Sequence, residues 1–308
     1  MRAFLASLLA VAALAAHAQP FPAKPVHIVV PFPPGGGTDS LARIMQPQLQ
    51  QLWGQAVIVE NKPGASGQIG ADTVAASAPD GYTLMMSSTA SLTQKNVDKF
   101  APVTLVSASP YVIVVNPRVP ASNVRELIAY AKAHPGKLSF GSSGTGAASH
   151  LAGELFKSMA GVDMLHVPYK GTGQAVTDLL AGQIDVMFAP GETVMPHVQA
   201  GKLRALGVTS LHRATALPDL PTAAESGLPG YEAIGWFGLL APAATPSALV
   251  AKLSADANRV LADAEVKRKM LAMGAEPSGN SPQAFADFIR ADMAKWARLM
   301  AERGIKPE

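Results

Sequence analysis

The stretch His27-Ile28-Val29-Val30-Pro31-Phe32-Pro33-Pro34-Gly35-Gly36-Gly37-Thr38-Asp39 begins as a β-branched run, stops at a proline and passes through three glycines into residues that open a helix. A second stretch repeats the design: Leu138-Ser139-Phe140-Gly141-Ser142-Ser143-Gly144-Thr145-Gly146-Ala147-Ala148-Ser149-His150. Each reads as strand, glycine-rich turn and helix start. Glycine lets a ligand come close to the backbone, and the free N–H groups and positive dipole end of the following helix favour an anion. One such turn in each half of the chain points to two jaws. Neither is a phosphate-binding P-loop, because no Gly-Lys-Ser/Thr closes the motif, and Gly-x-x-Gly-x-Gly over 141–146 is not the Rossmann spacing.

Outward from these turns, short β-branched runs alternate with helical stretches, the pattern of parallel or mixed sheets flanked by helices in an α/β fold. Strands are expected at 26–30, 57–60, 83–86, 111–115, 138–141, 164–167, 186–188 and 205–209, with amphipathic helices at 41–52, 124–134, 151–159 and 175–181. After a proline-rich stretch at 217–229 the grammar changes to one strand at 236–240 and helices within 246–273 and 282–303. A helical C-terminus packing back on the first lobe is the economical arrangement.

At the N-terminus a single Arg2 precedes an apolar run from Ala3 to Ala16, too short to span a bilayer, and Ala16-His17-Ala18 is a small-x-small cleavage pattern. A signal peptide over 1–18 is expected, with a mature chain beginning near Gln19 and a periplasmic destination. The absence of cysteine excludes a lipid-anchored lipoprotein, disulfides and thiolate metal sites. The roughly 290 residues that remain suit two domains of ordinary size. With 25 Lys+Arg against 22 Asp+Glu, no basic run and only 6% aromatic residues, the chain lacks the footprint of a nucleic-acid binder.

Neither glycine-rich turn contains arginine, so an anion there is expected to be held by backbone N–H groups and by the hydroxyls of Ser142, Ser143 and Thr145. Lys170, in Pro168-Tyr169-Lys170-Gly171-Thr172-Gly173, is either a charge at the mouth or a solvated side chain. Seven histidines show no His-x-x-x-His pairing, which gives a metal site little support. Gly-x-Ser-x-Gly is absent, and only Gly141-Ser142-Ser143-Gly144 near His150 keeps a serine hydrolase in view. His150 is expected to pack or cap locally, and Asp178 and Asp185 to be structural. Glu192, in Ala189-Pro190-Gly191-Glu192-Thr193, has two readings: a cleft residue selecting a ligand with an ammonium or other donor, or a surface glutamate in the first turn of a helix.

Three further runs bring a family into view. Lys24-Pro25-Val26 through Gly36, Val59-Glu60-Asn61-Lys62-Pro63-Gly64-Ala65 and Pro79-Asp80-Gly81-Tyr82-Thr83-Leu84 closely resemble the Bug (TctC-like) substrate-binding proteins of tripartite tricarboxylate transporters. The resemblance continues through His150–Phe156, His166–Gly171, Gly201–Leu206, Leu217–Thr222 and Trp236–Pro242. It implies a two-lobed periplasmic-binding-protein clamshell of the Venus-flytrap kind, with lobe 1 discontinuous over 19–110 and 231–308 and lobe 2 over 111–230. It also implies a carboxylate held by Phe32, Pro33, Gly35 and Gly36 on one side and by Ser142, Ser143, Thr145, Gly146 and Ala147 on the other. Thr38, Ser88, Tyr169, Thr172 and Glu192 complete the candidate site. Family members bind amino acids, tricarboxylates and aromatic acids, so the resemblance does not name the ligand. One departure is a short segment between Ser88 and Phe100, which leaves the first-lobe rim expected to be more open.

A non-enzymatic, monomeric binding protein serving membrane permease subunits therefore leads, with no cofactor required. A receptor's ligand sensor and, distantly, a hydrolase that would fail in Ser143→Ala are the alternatives. In the leading reading the ligand touches both jaws only when they close, and a Cβ at Gly35 is expected to crowd its approach.

Overall fold

A computed structural model describes residues 21–89 and 91–303. The signal peptide expected over 1–18 and its cleavage before Gln19 lie outside the described residues. The chain runs β1 (Val26–Val30), α1 (Gly37–Trp53), β2 (Val57–Asn61), α2 (Gln68–Ala75), β3 (Thr83–Ser88) and then the long β4 (Phe100–Val115). It continues through α3 (Val124–Ala133), β5 (Ser139–Ser142), α4 (Ala148–Ala160), β6 (Leu165–Pro168), α5 (Thr172–Ala181), β7 (Val186–Pro190), α6 (Gly191–Gln199) and β8 (Arg204–Val208). β9 (Ile234–Pro242), α7 (Ser247–Ala262), α8 (Ala264–Ala272) and α9 (Pro282–Arg303) complete it.

The strands form a mixed sheet in two halves. In the first, β2, β1 and β3 pair in parallel and β9 joins β3 to β4 in antiparallel fashion. In the second, β8 and β7 flank β4 antiparallel, and β5 joins β7 to β6 in parallel. Each half buries apolar layers: Leu41, Met45, Leu84 and Leu253 on one face of the first and Val29, Met85, Trp236 and Phe285 in another cluster. Phe140, Phe156, Phe188 and Tyr231 fill one cluster of the second half, and Val112, Leu179 and Met187 another.

β4 belongs to both halves, its residues 100–110 pairing with β9 and 111–115 with β7 and β8. The sequence reveals only its last five residues as a strand, because Pro102 and Pro110 remove ladder donors and make the earlier part read as broken. The register shifts between Pro102 and Thr104 and between Leu105 and Ser107 are how the ladder absorbs that interruption. The C-terminal helices also reach further than expected. Phe285 and Ile289 of α9 pack in a first-half cluster, but Trp296 is buried in the core around Phe156 and Tyr231 of the second half. Asp263 splits the preceding helical run: it ends α7, and its carboxylate caps α8 by accepting from the N–H groups of Glu265 and Val266.

Where β4 passes between the halves, fully buried Thr209 ties it to the returning chain. The Tyr111 N–H donates to Thr209 Oγ1 at 2.7 Å, the Thr209 hydroxyl donates to the Ala233 carbonyl, and the Thr209 and Ala233 N–H groups donate to the Tyr111 and Thr209 carbonyls. Thr209→Val keeps the shape and removes the hydroxyl, leaving a buried N–H and a carbonyl short of a partner. Urea denaturation is expected to show a loss of about 2 kcal/mol, within the range for orphaned buried polar groups.

Candidate functional site

Between the two halves lies a small pocket, about 310 Å³ with open solvent at its mouth included, lined by Phe32, Pro33, Gly36, Gly37, Thr38, Ser88, Ser143, Thr172, Gly173 and Phe237. Its walls start at the carboxyl ends of strands, where an α/β sheet presents its ligands. β1 leads through the Pro-Gly turn into α1, β3 ends at Ser88, and β6 leads through Gly171 into α5. Both helices begin on glycine: Gly36 caps α1 and Gly171 caps α5, and neither supplies a side-chain cap. The first-turn N–H groups of a helix have no intrahelical acceptor, so two positive dipole ends converge on the pocket from opposite jaws.

The jaws are closed on each other. A Cβ on Gly173 would lie 3.3 Å from the Pro34 carbonyl oxygen and 3.6 Å from the Gly36 nitrogen, and one on Gly171 would lie 3.3 Å from Pro33. Gly37 is tighter still, with a Cβ there meeting Glu192 Oε1 at 2.3 Å and the Phe237 ring at 2.6 Å. Gly35 differs from expectation, since a Cβ there has nothing within 4 Å. Its requirement is the left-handed φ of +87° that turns the chain, and the crowding belongs to Gly37 and Gly173. The Gly35 N–H is already donated to Asp39. Burial alone would raise the Asp39 carboxyl, but Arg43, that N–H and Asn61 outweigh it and hold the pKa below its ordinary value.

The sequence places the second jaw at the turn after β5, and there the structure shows how the turn is held together. Most of that turn's N–H groups are spent inside the turn itself. Ser143 N–H donates to Ser149 Oγ, Gly144 N–H to Ser142 Oγ, Gly146 N–H to His150 Nδ1 and Ala147 N–H to the Gly144 carbonyl. Ser143 is the one residue of the turn on the pocket wall; Ser142, Thr145, Gly146 and Ala147 are not. The Ser142 hydroxyl donates to the Gly144 carbonyl and lies 2.7 Å from His166 Nε2, fully buried. Tyr169 is off the wall too, its hydroxyl donating to Asp178 at 2.8 Å. Beside Ser143, the second half lines the pocket with Thr172 and Gly173. Gly37, Gly173 and Phe237 were not among the sequence candidates. The two glycines stood inside the recognised motifs, whereas Phe237 reaches the pocket through its pairing opposite Ser88, a register that sequence does not display.

Part of the short segment after Ser88 is packed against the first half. Ser91 and Asn96 are buried, Ser91 Oγ accepts from the Ser88 N–H, and the Asn96 amide donates to Gln68 and to the Ser91 carbonyl. Lys170 is exposed. His150 and His166 stack with ring centroids 3.8 Å apart. Burial lowers both, His166 to about 4 with help from its neighbours His150 and Lys157, so the pair is neutral at ordinary pH. Ser143 Oγ faces Ser149 Oγ at 3.1 Å and makes no hydrogen bond to a histidine, and the serine that does meet one, Ser142, is buried and off the pocket wall.

Residues 41–305 match the tripartite tricarboxylate transporter family receptor (TctC) family. Among solved structures, the periplasmic binding protein BugD is 37% identical with a TM-score of 0.86, over 94% of this chain and 100% of that one. A Rhodopseudomonas palustris protein solved with adipate is 35% identical with a TM-score of 0.88, over 94% and 100% of the two chains. MatC from the same organism, with bound malate, is 32% identical with a TM-score of 0.83, over 91% and 99%.

Glu192 is not on the surface. It is 2% exposed in the first turn of α6, and neither carboxylate oxygen has a hydrogen-bond partner in another residue. Burial pushes its carboxyl up from 4.5 to about 7, with its own backbone N–H offsetting part of the rise. A carboxyl raised by folding is neutral in both states below its unfolded value. As pH climbs from about 4.5 to 7, the unfolded chain releases the proton and the folded one keeps it, so stability falls across that window and levels above it. The unfolding free energy of wild type is therefore expected to drop by about 3 kcal/mol relative to Glu192→Gln between pH 4.5 and 8. Paired denaturant titrations measure this, and parallel pH profiles for the two proteins would contradict the assignment.

Proposed function

The chain belongs to the tripartite tricarboxylate transporter receptor family, periplasmic solute-binding proteins rather than enzymes, and on that premise we propose that it captures a small carboxylate between its jaws for delivery to membrane permease subunits. One observation carries the ligand class: two glycine-capped helix N-termini, α1 and α5, meet at one pocket with no side chain capping either. A carboxylate there would take first-turn N–H groups from α1 on one side and α5 on the other, with the hydroxyls of Thr38, Ser88, Ser143 and Thr172 within the same lining. Each helix end contributes up to about 2 kcal/mol in such partly buried geometry. The adipate and malate bound by solved relatives are of this class.

In this reading the lobes are 19–110 with 231–308 and 111–230, the mature protein starts near Gln19 after export, and Phe32 and Phe237 give the ligand's carbon skeleton its apolar walls. Ligand contacts from both jaws exist only in the closed form, so binding shifts the population toward it, and the permease distinguishes closed from open. Glycine at 171 and 173 is what lets α5 seat on the Pro33–Gly36 turn.

Thermal denaturation against mono-, di- and tricarboxylates tests the proposal. One structural class is expected to raise the melting temperature, since ligand at 100 times Kd stabilises by about 2.7 kcal/mol. Gly173→Val, whose side chain would prop the jaws apart, is expected to weaken that ligand at least tenfold. If protein unfolded and refolded to strip any carried ligand shifts with no acid, or if Gly173→Val binds as wild type does, the reading is wrong.

A further inference from the structure

Five buried side-chain atoms without a hydrogen-bond partner are found among the described residues, and three of them are Glu192 Oε1, Glu192 Oε2 and Thr193 Oγ1. They sit together on the first turn of α6, directly after β7, on the second half of the molecule. Across the cleft, Glu192 Oε1 packs on the Cα of Gly37 beside the Phe237 ring, and both of those residues line the pocket. None of the ion pairs among the described residues includes Glu192. Burying a carboxyl without a partner is among the costlier features a fold can carry, and retaining one at the edge of a ligand cleft calls for a partner from outside the chain.

Resting on the carboxylate reading above, we propose that Glu192 is the specificity-determining residue of the cleft and that the ligand carries a protonated amine beside its carboxylate. The helix ends of α1 and α5 take the carboxylate, and the ammonium meets Glu192, giving the buried carboxyl the charge-assisted hydrogen bonds it lacks. The same acid also disfavours the wrong ligands. A plain carboxylate brings no donor for the Glu192 oxygens and further opposes ionisation of that carboxyl, which is discrimination by a cost imposed on the competitor. The arrangement also explains why α1 starts with glycine at position 37: any side chain there would occupy the place of the Glu192 carboxyl.

The test uses matched acids that differ only in the amine: aspartate with succinate, 4-aminobutyrate with butyrate, and leucine with 4-methylpentanoate. Titration calorimetry on the purified protein is expected to show the amine-bearing member of at least one pair binding ten times or more tightly than its deamino partner. Glu192→Gln is expected to cut that ratio at least tenfold by weakening the amine-bearing acid and sparing the plain one, and Glu192→Ala serves if the glutamine variant does not fold. The wild-type ratio decides without either variant. Plain acids binding as well as their amino counterparts, with Gly173→Val still weakening them, would overturn this inference and leave carboxylate capture standing. Failure of every acid, malate and adipate included, would remove both.

Discussion

Everything in the molecule hangs from one strand that serves two sheets. β4 gives residues 100–110 to β9 and residues 111–115 to β7 and β8, so one strand is hydrogen-bonded into both halves. Thr209 fastens the returning chain where the strand changes partners. With that crossing fixed, the carboxyl ends of β1 and β3 on one side and of β6 and β7 on the other point at a common gap. The helices that follow β1, β6 and β7 therefore begin there, and the site is a consequence of topology before any side chain is chosen.

The side chains then make the gap chemical. Glycine at the helix starts does two jobs that no other residue combines: it leaves first-turn N–H groups uncovered, and it lets opposing backbones come within contact distance. Electrostatics follow from this geometry rather than from basic residues, since none of the residues lining the pocket is lysine or arginine. A guanidinium would bind a carboxylate more strongly but would also need room and a counter-charge in the empty state. Dipole ends need neither. The titratable group packed against lining residue Gly37 from the second half is acidic, and its burial sets it apart from the hydrophilic surface on which a glutamate usually sits.

Much of this was legible in the amino-acid sequence because it is local. The strand–glycine–helix grammar at 26–39 names β1, the turn and α1, and nearly all other strands fall within a residue or two of their expected places. What could not be read is non-local. Nothing in Leu138–His150 shows that its N–H groups are consumed within the turn, because that depends on where Ser149 and His150 turn their side chains. Ser142 and Tyr169 look like ligand groups in sequence and are tied to His166 and Asp178 in space. Phe237 enters the pocket through strand register, and the first eleven residues of β4 hide behind two prolines whose effect only the bulged ladder with β9 resolves. Glu192 had two readings that sequence could not separate, and packing against Gly37 rules out the exposed one.

α9 spans both halves, with Phe285 and Ile289 seated in one core and Trp296 in the other, and with Asp292 holding the indoles of both Trp236 and Trp296. Such a helix is a rigid lever: Ile289 and Trp296 lie roughly 10 Å apart along its axis at 1.5 Å per residue, so tilting it by about 10° moves one end by about 2 Å relative to the other. A large indole in a close-packed socket does not tolerate a graded displacement of that size; it is either seated or withdrawn. In the proposed closure, a helix anchored in both cores would therefore resist small changes of jaw angle, because any tilt has to unseat Trp296 or Phe285 from its socket.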